Sequence, residues 1–153
     1  MRLIAILLLA AAAANTTNVK LPNGKVLNVE LATSPEELGR GLIGRKALPA
    51  DSGMLFVYPA DLGTRYNLMG YAFPVDILYI DENKVIINLK ENAIPCRVAD
   101  CGYYSIWPHR YALQLPAGTT KRLSIHAGDV LSFNLPSGDV PSSQTKTVKI
   151  PLR

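Results

Sequence analysis

Asp76 stands in the run Phe73 to Asp81, where its neighbours Val75, Ile77, Leu78, Tyr79 and Ile80 are all apolar or aromatic. A carboxylate in so apolar a stretch must accept hydrogen bonds, pair with a base or stay at a surface, because burying it bare is costly. Two roles follow. Structurally, it accepts backbone N–H bonds or pairs with Arg65 or Arg110, fixing the segment around Pro74. Chemically, it anchors a ligand or acts as an acid with a raised pKa. The structural role is preferred, since no group at catalytic spacing accompanies it.

Other chemistry-bearing residues are sparse. A nucleophilic triad needs Ser or Cys, His and a carboxylate within reach; the chain has only His109 and His126 and no Gly-x-Ser-x-Gly. Those two histidines are not at ligand spacing, so no metal and no cofactor is expected. Four residues intervene between Cys96 and Cys101, with Pro95 just before, which is not the Cys-x-x-Cys of a redox pair. A structural bridge between them is expected, contributing about 2 kcal/mol and mainly shaping one loop. Arg40 and Arg45 would bind an anion only if a pocket received them. Tyr66, Tyr71, Tyr103, Tyr104, Trp107 and Tyr111 could line a sugar- or peptide-binding face. Ordinary β packing also explains them, and Trp107, flanked by Pro108, is the member expected to be exposed.

The chain that must position these groups has 153 residues, 48% hydrophobic and 18% charged, enough for one domain with a true core. The net charge of +4 comes from scattered lysines and arginines with no basic block, which argues against nucleic-acid binding. Met1-Arg2, the apolar run Leu3 to Ala10 and the small residues up to Ala14 read as a cleaved secretory signal, with Asn15 the first mature residue. The apolar run is shorter than the roughly 20 residues of a spanning helix. The expected localisation is a periplasm or the extracellular space, where an even cysteine count favours a disulfide. A monomer with no transmembrane span after cleavage is expected.

Strands dominate the pattern. Val19–Leu21 and Lys25–Leu31 flank Pro22-Asn23-Gly24, a hairpin signal, and Leu27, Val29 and Leu31 alternate with polar residues. Ser34-Pro35-Glu36-Glu37 predicts a short capped helix. Gly53–Tyr58, Phe73–Asp81, Val85–Leu89, Tyr111–Leu115 and Val130–Leu135 predict further strands, and Thr119–Ile125 a helical turn. The hairpin of Phe73–Asp81 with Val85–Leu89 is expected in the middle of the sheet. Residues 136–153 read as a Pro/Ser/Gly loop with a possible edge strand at Thr147–Pro151. The predicted fold is all-β: a single-domain β-sandwich, jelly-roll-like or barrel architecture over residues 15–135, with one or two short helices.

Gly39 to Arg45, Gly53 to Tyr58, Pro74-Val75-Asp76-Ile77, Cys96 to Cys101, Arg110 to Leu113, Ala117-Gly118 and Gly128-Asp129 together resemble the DUF192 family of small, mostly bacterial proteins, over about Val26 to Phe133. The resemblance implies a compact β fold, frequent export and no established activity. Two departures stand out. The family's usual Trp-Met-Lys-Asn-Thr stretch is replaced by Asn67-Leu68-Met69-Gly70-Tyr71, and its usual glutamate after Tyr-Val-Leu by Gln114. The expected function is an exported, envelope-associated module binding a small-molecule, glycan or peptide ligand, with Asp76, Arg40, Arg65, Trp107 and Tyr104 as candidate site residues. The alternative is a hydrolase of a cell-envelope polymer with Asp76 in its site.

Overall fold

The computed structural model describes residues 15–62, 68–97 and 108–136. Six strands and two short helices follow one another as β1 (Thr16–Lys20), β2 (Val26–Ala32), α1 (Pro35–Arg40), β3 (Ser52–Leu62), β4 (Val75–Ile80), β5 (Ile86–Ala93), β6 (His109–Pro116) and α2 (Thr119–Leu123). All six strands join one sheet in the order β1-β2-β3-β6-β4-β5. The mainly β class therefore holds, and among the described residues the strands form one open sheet rather than two stacked ones. The segment after α2 ties its edges. Ser132 exchanges backbone hydrogen bonds with Lys20 beside β1, while Leu131 donates to Lys84 and Ile86 donates to Asp129 at the start of β5. Val130 to Leu135, expected as a strand, contributes only these isolated bridges.

Period-2 alternation sorts the side chains onto two buried faces. Leu27, Val29, Leu55, Val57, Leu78, Ile80, Leu113 and Leu115 form one core, covered by Ile125, Leu131 and Phe133. Met54, Phe56, Tyr58, Val75, Ile77, Tyr79 and Ala112 form the other, covered by Leu42 and Leu68 with Leu38, Leu48, Tyr71 and Phe73 against them. Strand β4 lies between the two, which is why all six of its residues are buried and why its sequence does not alternate.

β2 and β3 run parallel, so the chain must cross over between them, and α1 is in that crossover. The helix starts as its sequence dictates. Ser34 accepts the Glu37 N–H while Glu37 accepts the Ser34 N–H, and Pro35 occupies the first turn. It stops after six residues at Gly41, whose φ of +47° and ψ of −126° suit glycine. The β4–β5 pairing is antiparallel as predicted, but β5 ends up at the sheet edge. The interior places go to β2, β3, β6 and β4. β5 has the composition of an edge, with exposed Lys90, Glu91 and Asn92, whereas Tyr111–Leu115 of β6 is buried throughout.

Candidate functional site

Asp76 is fully buried, and its carboxylate is committed to the chain itself. Oδ1 accepts the Asn92 N–H at 2.8 Å, and Oδ2 accepts both the Thr120 N–H and the Thr120 hydroxyl at 2.9 Å. Asn92 has a left-handed φ of +47°, a conformation Asn tolerates better than most residues, and Thr120 lies in the first turn of α2. The carboxylate thus pins the end of β5 and the start of α2 to β4, satisfying one helix-terminal N–H, that of Thr120, as an anion does. Of the partners open to it from sequence, backbone N–H is the one found among the described residues. Buried and accepting three hydrogen bonds, Asp76 is not presented to solvent as a nucleophile or acid.

A different place gathers accessible charge. A cleft of about 410 Å³ opens between α1, the turn after it, β2 and the start of β1. Its lining includes buried Leu31, Ala32, Gly41 and Met54, exposed Ile43 and Asn15, and four charged residues: Glu30, Glu37, Arg40 and Arg45. Three of the four charges are engaged by the protein. Arg45 makes a bidentate pair with Glu30, two parallel N–H to oxygen bonds that set the guanidinium plane. That pairing raises the Arg45 pKa above its already high ordinary value. Glu37 Oε2 accepts the N–H groups of Ser34 and Thr33, each at 3.0 Å, which holds its carboxyl below the usual range. Arg40 differs: its side chain is 62% exposed, and its recorded ion pair is a 4.0 Å contact with Glu36, a geometry worth little in water. The cleft therefore offers an apolar floor with one available guanidinium at its wall.

Beneath Gly41 lies a neutral polar network. The Tyr71 hydroxyl donates to Gln114 Oε1 at 2.9 Å and accepts the Leu42 N–H at 3.2 Å. A Cβ on Gly41 would stand 2.6 Å from that hydroxyl, so the glycine is required by contact as well as by φ. Tyr58, Tyr79 and His109 continue the same layer; His109 meets Tyr58 at 5.3 Å and Tyr79 at 5.2 Å between ring centroids, both edge-on. Burial pushes the Tyr58 phenol strongly up, with Tyr71 and Tyr79 adding to it. Burial also raises Tyr71, while the Leu42 N–H pulls the other way. At neutral pH both phenols keep their protons, and that of Tyr71 is donated to Gln114.

Of the residues singled out from sequence, Arg40 lines this cleft and Asp76 does not. Arg65, Tyr104 and Trp107 lie outside the described residues, as do Cys101 and hence the expected bridge to Cys96, the segment 1–14 and Thr147–Pro151. The expected aromatic face divides: Tyr71 packs beneath Gly41, whereas Tyr111 sits on the opposite side of the sheet, 5.1 Å from Phe133. Arg45, read with Arg40 as an anion-binding candidate in need of a pocket, lines the same cleft, whereas sequence reading missed Glu30, Glu37 and Asn15 as neighbours there. Glu30 was legible as a residue of the polar face of β2, but its meeting with Arg45 requires the parallel crossover, which no local pattern encodes. Among the described residues no group of His, Cys, Asp or Glu could hold a metal ion, and no helix is long and apolar enough to cross a membrane.

Known proteins place these features in a wider set. The family model DUF192, described as an uncharacterized ACR, matches residues 17–133. A crystal structure from Sinorhizobium meliloti, described as a candidate transcription regulator, is similar at 30% identity and a TM-score of 0.72, covering 81% of this chain and 98% of that one. A protein of unknown function from Novosphingobium aromaticivorans is similar at 25% identity and a TM-score of 0.68, covering 84% and 91% respectively. No curated protein matches the chain significantly.

Proposed function

The chain belongs to the DUF192 family, and we propose that it is an exported, envelope-associated binding module whose ligand, a small molecule or a fragment of glycan or peptide, enters the cleft beside α1. The observation that supports this reading most is the combination in that cleft of an apolar floor, Leu31, Ala32 and Met54, with the exposed Arg40. A mostly apolar pocket with a few convergent polar groups is what orients a small ligand. Export with cleavage after Ala14, and a Cys96–Cys101 bridge, belong to the same proposal.

The hydrolase alternative has less support. Its intended acid, Asp76, is buried and bonded to Asn92 and Thr120, and the carboxylates that line the cleft, Glu30 and Glu37, are engaged by Arg45 and by the Ser34 and Thr33 N–H groups. A nucleic-acid partner, which the description of the Sinorhizobium meliloti protein brings to mind, would use a groove-reading element. The two helices among the described residues have six and five residues, too short for that docking mode.

The test is titration of muropeptide, oligosaccharide and short-peptide fragments followed by amide NMR shifts. Binding should move resonances of Ile43, Gly41 and Ala32, and Arg40→Gln should weaken it about threefold to tenfold with unchanged stability. Shifts confined to regions away from the cleft would refute the placement. Mass spectrometry of the same mixtures addresses hydrolysis: cleaved fragments would favour the enzyme reading. Trp107→Ala, read in parallel, tests that residue's expected part in binding.

A further inference from the structure

Asn15 lines the cleft and is also the residue that the sequence places immediately after the signal segment. We infer that signal cleavage at Ala14–Asn15 installs the new α-ammonium of Asn15 in the cleft, where with Arg40 it forms a two-cation site for a ligand carboxylate. The inference rests on the binding-module reading and names its ligand class.

The position of the amine is set by the sheet. The Asn15 carbonyl accepts the Leu31 N–H at 2.7 Å, one residue before β1 pairs Thr16 with Glu30. The amine is two bonds from that carbonyl carbon, so it lies within about 4 Å of the anchored oxygen. Hydrolysis of the Ala14–Asn15 peptide by a signal peptidase consumes one water, leaving a carboxylate on Ala14 and an ammonium on Asn15. A neutral amide nitrogen thereby becomes a cation with an ordinary pKa of about 7.7–8.0.

The charged neighbours decide what that cation can do. On β2, Glu30 has both oxygens bonded to Arg45, from the turn after α1. On α1, Glu37 is held by the N–H groups of Ser34 and Thr33, and Arg40 makes the 4.0 Å contact with Glu36. The Glu30–Arg45 pair cancels, and the added ammonium turns a neutral lining into one with net positive charge. Leu31, Ala32 and Met54 complete a site for a carboxylate carrying a short apolar group.

The experiment compares two exported proteins: the natural chain, and one with Gly-Ser inserted between Ala14 and Asn15 so that the same cleavage leaves the amine two residues from its proposed place. Intact mass and N-terminal sequencing define each terminus. The probes are N-acetyl-L-leucine and N-acetyl-L-leucinamide, read by amide NMR shifts. The natural protein should bind the acid about tenfold more tightly than the insertion variant near pH 7, with the advantage lost by about pH 9.5 as the ammonium deprotonates. The amide should not distinguish the two proteins. Equal affinity of both proteins for the acid, or a mature chain still beginning at Met1, overturns the inference while cleft shifts keep the binding reading. Absence of cleft shifts with either probe removes both.

Discussion

Tyr71 and Gln114, the two positions where this sequence departs most visibly from its family pattern, touch: the phenol donates to the Gln114 carbonyl oxygen at 2.9 Å. Forty-three residues apart in sequence, they form one neutral unit beneath Gly41, completed by the Leu42 N–H.

Tyr71→Phe should cost about 2–3 kcal/mol, because it leaves the Leu42 N–H and the Gln114 oxygen without their partner. Combining it with Gln114→Leu should cost less than the sum of the two single changes, since the orphaned acceptor is then gone. Gln114→Glu adds a pH signature at a site only 1% exposed. Burial raises the pKa of the new carboxyl above the unfolded value of about 4.3. Its penalty is therefore small below that value and grows as pH rises toward the folded pKa. Urea unfolding of the four proteins at acid and neutral pH measures both effects; strict additivity would show that the contact is not energetically coupled.

Asp76→Asn replaces one acceptor oxygen by an NH2 facing an N–H donor, whichever way the amide is turned. With three hydrogen bonds converging on the carboxylate, the expected loss is about 3 kcal/mol or more. Amide hydrogen exchange should show it first at Thr120 and Asn92, the two N–H groups released. A stable variant with unchanged exchange at both would refute the structural role of Asp76.

How much of this was legible in the sequence depended on range. The capping box at Ser34–Glu37, the hairpin turn at Asn23-Gly24 and the buried strand Val75–Ile80 are local patterns, and each is found as read. The place of β5 at the sheet edge was not legible, because β4 and β5 pair equally well anywhere in a sheet, and only the later strand β6 settles which flank is covered. Asp76 was recognised as buried, yet its acceptance of the Thr120 N–H joins residues 44 apart. The cleft was invisible for the same reason: Asn15, Glu30, Arg40 and Arg45 meet only because β2 and β3 are parallel and α1 crosses between them.

Gly41→Ala should be far more damaging than alanine at an ordinary helix end. The added Cβ would lie 2.6 Å from the Tyr71 hydroxyl and 3.1 Å from the Phe56 ring, in a backbone conformation that L side chains rarely adopt. A loss of about 2 kcal/mol or more is expected. Gly39→Ala, two residues earlier within α1 with nothing within 4 Å of its Cβ, is the control and should be neutral or slightly stabilising. Thermal unfolding of the two variants separates contact from helix propensity.

Glu37 gives the α1 cap, and with it one wall of the cleft, a defined acid sensitivity. The Ser34 and Thr33 N–H groups hold its folded pKa below the ordinary 4.5, so the folded state prefers the carboxylate more than the unfolded chain does. The associated stability is complete above the unfolded pKa and is lost as pH falls through the lowered folded value. Because the carboxylate is largely solvated, the contribution is modest, about 0.5–1 kcal/mol. Glu37→Gln should therefore lower stability at pH 6–7 and converge with the natural protein below about pH 3.5, whereas Ser34→Ala, which removes the uncharged half of the cap, should cost about 1 kcal/mol at both ends of that range. Parallel urea curves across pH distinguish the two. Convergence matters for function as well: the Glu37 carboxylate and the Arg40 guanidinium sit three residues apart on one short helix, so fraying of α1 in acid should weaken cleft binding over the same pH interval in which the Glu37 contribution disappears.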